Sequence, residues 1–288
     1  MVGAGNCSMM TDYEKWHFDL MGYIVLPQAV PADDIARMKQ LGLEWARKPD
    51  EQLPQPISTY SKPAFDPTKT RALNYIEYVD EVFQRALLNR EVMRVILTLT
   101  DNCPQVLLSS LQVYPAGGGA GPLHNGASGG IHNPANYYQA AGDRVFATFL
   151  NVGVCITDSL RGEGFVCVPG SHKSNFQCPD DITVDTPAPL VIAPDVRAGD
   201  VVIFTELLRH GGRNWQNAQE PRMVLYTRYS TSYASWSVSY RALPDYAHML
   251  PDDLVELMEP KGFQGRKKVT ERLLEELGAT HAPVGASH

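Results

Sequence analysis

Ala198-Gly199-Asp200-Val201-Val202-Ile203-Phe204-Thr205-Glu206-Leu207-Leu208-Arg209-His210 opens with a turn, runs into a short apolar stretch and ends on a histidine. Gly and Asp supply the turn, while Val, Ile and Phe suit a pleated, half-buried surface. The same texture recurs on both sides of the 201–204 run, at 106–114, 145–156, 164–168, 190–193 and 222–229. Clusters of Gly, Pro, Asn and Asp separate these runs, as an all-β sandwich or barrel requires.

Farther out the pattern turns helical. Residues 11–20 and 32–47 read as helices around a short strand, Tyr23-Ile24-Val25-Leu26. The second of them starts at Pro31-Ala32-Asp33-Asp34 and sets Ile35, Met38, Leu41 and Leu43 at apolar positions. Segment 49–72, rich in Pro, Ser, Thr and Lys, reads as a long loop, and 78–100, 251–258 and 266–277 read as further helices. The expected fold is mainly β with flanking helices: one domain over 1–288, its β core at about 106–230, a sandwich or jelly roll.

Composition narrows the function classes. The 288 residues are 44% hydrophobic and carry a net charge of −7 without a long basic run, which excludes a broad nucleic-acid surface but not a local anion pocket. No stretch approaches the roughly 18 apolar residues of a membrane span. The N-terminus, MVGAGNCSMM, lacks a basic segment followed by an apolar one, so a secretory leader is not expected and the chain reads as cytoplasmic. The 5 cysteines are odd in number and form no CxxC, which fits reduced thiols better than disulfides or a cysteine-bound metal.

Two of the 8 histidines lie where the β core meets loops. His124 sits in Gly121-Pro122-Leu123-His124-Asn125-Gly126, after a glycine-rich turn, and His210 follows the 201–204 strand. Between them runs Gly164-Phe165-Val166-Cys167-Val168-Pro169-Gly170-Ser171-His172, and beyond them comes Arg222. Together with Gly22-Tyr23-Ile24-Val25-Leu26, this ordered set resembles the phytanoyl-CoA dioxygenase-like family of Fe(II)/2-oxoglutarate oxygenases over 12–230. The resemblance implies a double-stranded β-helix (jelly roll) and an O2-dependent enzyme with Fe(II) and 2-oxoglutarate as cofactors. His124 and His210 would hold the iron, whose facial set of imidazole and oxygen ligands leaves three positions open. Arg222 would grip the far carboxylate of 2-oxoglutarate through two parallel hydrogen bonds. His172 would be structural. Gln112 and Tyr114 alternate on one strand face, where they line the cosubstrate site or simply pack in the core.

The family pattern puts a carboxylate two residues after the first histidine, where this chain has Gly126. One reading is a halogenase: losing the carboxylate frees a coordination position and removes a negative charge, and glycine leaves room for chloride. That enzyme would chlorinate an aliphatic C–H bond. A second reading is a hydroxylase in which water, Glu206 or His132 substitutes for the carboxylate. A third is a non-catalytic jelly-roll binding protein. The substrate is expected to be a free, small polar metabolite, with a nucleoside or nucleotide suggested by analogy to glycine-type halogenases; no carrier-protein signature appears. Asn125, Asn133, Arg71 and Arg213 are the candidate substrate contacts.

Overall fold

The structure, a computed structural model, describes residues 9–59, 65–66, 68–126, 136–234, 241–263 and 265–279. The chain enters through α1 (Asp12–Met21), β1 (Tyr23–Leu26) and α2 (Ala32–Trp45). Thr11 and Glu14 close a reciprocal capping box at the start of α1, each side chain accepting from the other's backbone N–H. The segment expected as a loop at 49–72 contains a short strand, β2 (Ser58–Thr59), and runs into β3 (Arg71–Asn74) at its end. The helix expected over 78–100 is two: α3 (Glu81–Leu87) and α4 (Arg90–Leu99). The break is a cap, for Asn89 accepts hydrogen bonds from the backbone of Glu91 and Val92 and so starts a new helix.

The β core follows: β4 (Pro104–Tyr114), β5 (Gly121–His124), β6 (Tyr138–Ala141), β7 (Arg144–Ala147), β8 (Phe149–Cys155), β9 (Gly164–Cys167), β10 (Val201–Thr205), β11 (His210–Arg213) and β12 (Arg222–Thr231). Helices α5 (Asp252–Met258) and α6 (Lys268–Glu276) complete the described chain. The run at 145–156 splits at Thr148, and 190–193 adds only a bridge between Ile192 and Cys167. Strands β5 and β11 escaped the sequence reading because Gly121-Pro122 and His210-Gly211-Gly212-Arg213 lack the β-branched residues that signal a strand.

Seven strands form the major sheet in the order β1-β10-β8-β12-β4-β3-β2, and β5-β11-β9 form a minor sheet opposite it. Together with the flanking helices this antiparallel arrangement is a jelly roll. Alternation along the strands divides the major sheet into two faces. Leu111, Val113, Val152, Val154, Ile203 and Leu225 face the helices and join Met38, Phe83, Ile96 and Leu254 in the main apolar core. The other face carries Ser110, Gln112, Asn151, Arg222, Tyr226 and Arg228 and looks across a cavity. A polar face this rich inside a roll needs a wet or liganded space.

One acid lies in the helix-side core. Glu77 is buried and accepts a hydrogen bond from Ser109; desolvation pushes its pKa up to about 7. Because the folded pKa lies above the unfolded one, its contribution to stability is complete below about pH 4.5 and is lost as pH rises through about 7. The difference corresponds to about 3 kcal/mol. Glu77→Gln should therefore flatten the decline in stability between pH 4.5 and 8, measured by urea melts at a series of pH values. An unchanged decline would show that Glu77 ionises without cost.

Candidate active site

The minor sheet brings the two histidines together. In the β5–β11 ladder His210 stands directly opposite His124, so both side chains leave the same face. Their ring centroids are 4.3 Å apart. Each ring is tied to its own strand: His124 Nδ1 lies 3.0 Å from the carbonyl of Pro122, and His210 Nδ1 lies 2.7 Å from that of Leu208. A carbonyl only accepts, so each Nδ1 carries the proton and each Nε2 keeps its lone pair, the tautomer a metal ligand needs. Neither Nε2 has a hydrogen-bond partner among the described residues. His210 is buried beside Phe204, ring centroids 4.6 Å apart. Burial first, then the neighbouring His124, push its pKa down to about 3, which keeps the imidazole neutral. The pair therefore fits a divalent metal of intermediate softness.

The pair opens onto a cavity of about 780 Å³, within the range of small-molecule sites. Its floor is the inward face of β12 and β4. Arg222 lies at one end of β12 and Arg228 toward the other, roughly 20 Å apart along the strand. The Arg222 guanidinium is buried, 5.1 Å from the centre of the Tyr114 ring, and donates to Tyr226 Oη at 3.2 Å. It has no carboxylate partner among the described residues. Burial opposes its charge, but the phenolic groups of Tyr226 and Tyr114 more than compensate and raise its pKa. Gly164, at φ +74°, lets β9 close over this side chain, for a Cβ there would meet Arg222 Nε at 2.7 Å. Gln112 and Tyr114 line the cavity and share a hydrogen bond.

The sequence profile of phytanoyl-CoA dioxygenase (PhyH) matches residues 18–224, most of the chain, and takes in His124, His210 and Arg222. The chain belongs to the phytanoyl-CoA dioxygenase family. Members of this family are Fe(II)/2-oxoglutarate-dependent enzymes, and the chain is an enzyme of that type. Its fold is shared with HygX from Streptomyces hygroscopicus, solved with nickel and 2-oxoglutarate: TM-score 0.60 at 20% identity, over 83% of this chain and 94% of that one. EctD from S. alaskensis, solved with iron, gives 0.60 at 20% identity over 90% of this chain and 88% of that one. The non-heme alpha-ketoglutarate-dependent epimerase SnoN from nogalamycin biosynthesis gives 0.54 at 16% identity, over 78% and 85%. No curated protein matches the sequence.

At Gly126 this member of the family departs from its pattern, and the structure shows what stands there. The corner is not an open space. A Cβ on Gly126 would lie 2.2 Å from Asn136 Nδ2 and 2.5 Å from Glu206 Cγ. The Gly126 N–H donates to the Glu206 carbonyl at 2.8 Å, drawing the end of β10 against the end of β5. The place a side chain at 126 would occupy is thus taken by two side chains that the absence of a Cβ lets in. The Asn136 amide is buried with neither its nitrogen nor its oxygen hydrogen-bonded among the described residues. Glu206 accepts from Asn151 Nδ2. Among the described residues no third His, Cys, Asp or Glu stands with the histidine pair in a metal-binding group.

Several candidate substrate contacts sit elsewhere. Arg71 pairs with Val113 on the helix-facing side of β3, where it binds Asp50 at 2.9 Å and the Lys48 carbonyl at 3.0 Å. Strand alternation sends it away from the cavity. Arg213 donates to the carbonyls of Val184, Gly162 and Thr186 at 2.6, 2.9 and 3.3 Å, a clamp on the loops outside the roll. Asn125 donates to the Leu207 carbonyl at 3.2 Å and so braces the loop before His210. His132 and Asn133 lie outside the described residues. His172 is buried, edge-on to Tyr138 with ring centroids 4.6 Å apart, and lines no part of the cavity. The sequence reading missed Arg228, although the 222/224/226/228 alternation pointed to it. Arg228 is exposed in the cavity with no carboxylate partner among the described residues. Among those residues no helix is long and apolar enough to cross a membrane, and Cys103, Cys155, Cys167 and Cys178 are free thiols.

Proposed function

We propose that the chain hydroxylates an aliphatic C–H bond of a free, small polar metabolite, with His124 and His210 holding Fe(II) and Arg222 holding 2-oxoglutarate. Arg222 carries this reading. Its guanidinium is buried with no carboxylate partner among the described residues, and a dicarboxylate entering the cavity would supply the two-pronged acceptor it lacks. Bound iron with 2-oxoglutarate and O2 supplies the oxidising power that breaks the C–H bond. The protein's part is placement. Nδ1–carbonyl bonds present the two Nε2 lone pairs, Phe204 and Phe165 shield His210 from water, and Gln112 and Tyr114 flank the cosubstrate anchor. Arg228, at the opposite end of the floor from Arg222, is the cation placed to meet an anionic group of the substrate.

Oxygen is favoured as the atom delivered because Asn136 and Glu206 crowd the place of a side chain at 126, so that glycine does not by itself leave an open corner. A second reading, chlorination, draws support from Gly126 itself and from the unpaired Asn136 amide, a donor suited to an anion. Candidate metabolites incubated with iron, 2-oxoglutarate and labelled O2, in chloride or in bromide, separate the two by mass spectrometry. Hydroxylation gives a product heavier by one labelled oxygen in either halide. A product whose mass follows the halide would replace hydroxylation with halogenation, and no 2-oxoglutarate consumption with any metabolite would defeat both.

A further inference from the structure

We infer that Glu206 supplies, from the end of β10, the carboxylate that this family places two residues after its first histidine, and that metal binding recruits it into the corner beside Gly126. The inference rests on the proposed metal role of His124 and His210. Its geometry is that of a near-coincidence. A Cβ at position 126 would lie 2.5 Å from Glu206 Cγ. An aspartate there would carry its carboxyl carbon one bond beyond that Cβ, and Glu206 carries its own one bond beyond Cγ. Both side chains thus bring a carboxylate to one region from opposite strands.

The backbone holds this arrangement in place. The Gly126 N–H to Glu206 carbonyl bond and the Asn125 Nδ2 to Leu207 carbonyl bond tie the segment after His124 to the segment before His210. Glu206 is also the only Asp or Glu among the described residues lining the cavity with the histidine pair. Its carboxylate accepts from Asn151 Nδ2, and no three-ligand group is formed. Rotation about the Glu206 side-chain bonds, away from Asn151 and toward the histidines, is the movement a metal has to drive. Such rotations between staggered wells are inexpensive. Placement of Glu206 also accounts for glycine at 126: with that methylene so close, any side chain there would collide.

Co(II) binding tests this without turnover, by anaerobic titration calorimetry and by the visible absorption of the bound ion. Glu206→Gln and Glu206→Ala should each weaken Co(II) binding by about tenfold or more, beyond the lower end of what outer-shell partners contribute, and should alter the visible bands. Thermal melts establish that both variants are folded. Gly126→Asp alone should bind poorly because Glu206 and Asn136 block it. Gly126→Asp combined with Glu206→Ala and Asn136→Ala should recover the affinity, a non-additive set. If both Glu206 variants match the wild type in affinity and spectrum while His210→Ala loses Co(II), the Glu206 assignment falls and the histidine site stands. A wild-type protein that takes up no Co(II) overturns both.

Discussion

Arg222→Ala will weaken 2-oxoglutarate binding by about 100-fold or more while leaving metal affinity within a few-fold. Truncating one partner of a buried, hydrogen-bonded charge pair costs about 2–5 kcal/mol, and each 1.4 kcal/mol is tenfold in affinity. Here the pair forms only when ligand enters, because Arg222 meets phenolic rings and no carboxylate among the described residues. Its guanidinium lies at the far end of β12's inward face and has no contact with either histidine ring, so the metal site should be spared. Arg222→Lys should recover part of the loss, since an ammonium keeps the charge but not the two-pronged donor geometry. Titration of 2-oxoglutarate into nickel-loaded protein measures both. Normal 2-oxoglutarate affinity in Arg222→Ala would remove Arg222 from the site.

His210→Ala will abolish metal binding at micromolar concentrations, and His124→Ala will do the same. Loss of an imidazole from a site with one other histidine should exceed the 10- to 100-fold that outer-shell partners command. The structure separates this from general damage. His210 and His124 line the cavity, so alanine there leaves solvent-accessible space rather than a sealed void. His172→Ala is the contrast: that ring is buried against Tyr138, and its removal should lower the melting temperature without changing metal affinity. Metal content after dialysis and a thermal melt on each variant give the two readouts. A metal-replete His210→Ala protein would move the site elsewhere.

Much of the fold was legible because long, strongly patterned runs carry their own signal. The 106–114 and 222–229 stretches alternate over enough residues to read as strands, and they pair as β4 and β12 at the centre of the major sheet. The 32–47 helix was legible from its Pro-Ala-Asp-Asp start and its apolar spacing. What escaped was short or set by tertiary contact. Asn89 looks like an ordinary helix residue until its side chain turns to cap α4. Strand β11, with two glycines in its four residues, exists because β5 and β9 pair with it on either side. The site shows the same division. Arg71 and Arg213 read as candidate contacts from sequence, yet only strand parity places Arg228 in the cavity and Arg71 behind the sheet.

By itself the sequence determined the family, the jelly-roll class, the candidate roles of His124, His210 and Arg222, and the missing carboxylate at Gly126. Those follow from residue types in a set order, which survives without coordinates. Only the tertiary structure decided that the two histidines face one another across a ladder and that the vacated corner is filled. Sequence distance hides the second fact: Gly126 and Glu206 follow the ends of different strands, and their approach depends on a backbone hydrogen bond that no local pattern encodes. A glycine read alone looks like an empty place. Folded against the end of β10, it is what allows Glu206 and Asn136 to come so close.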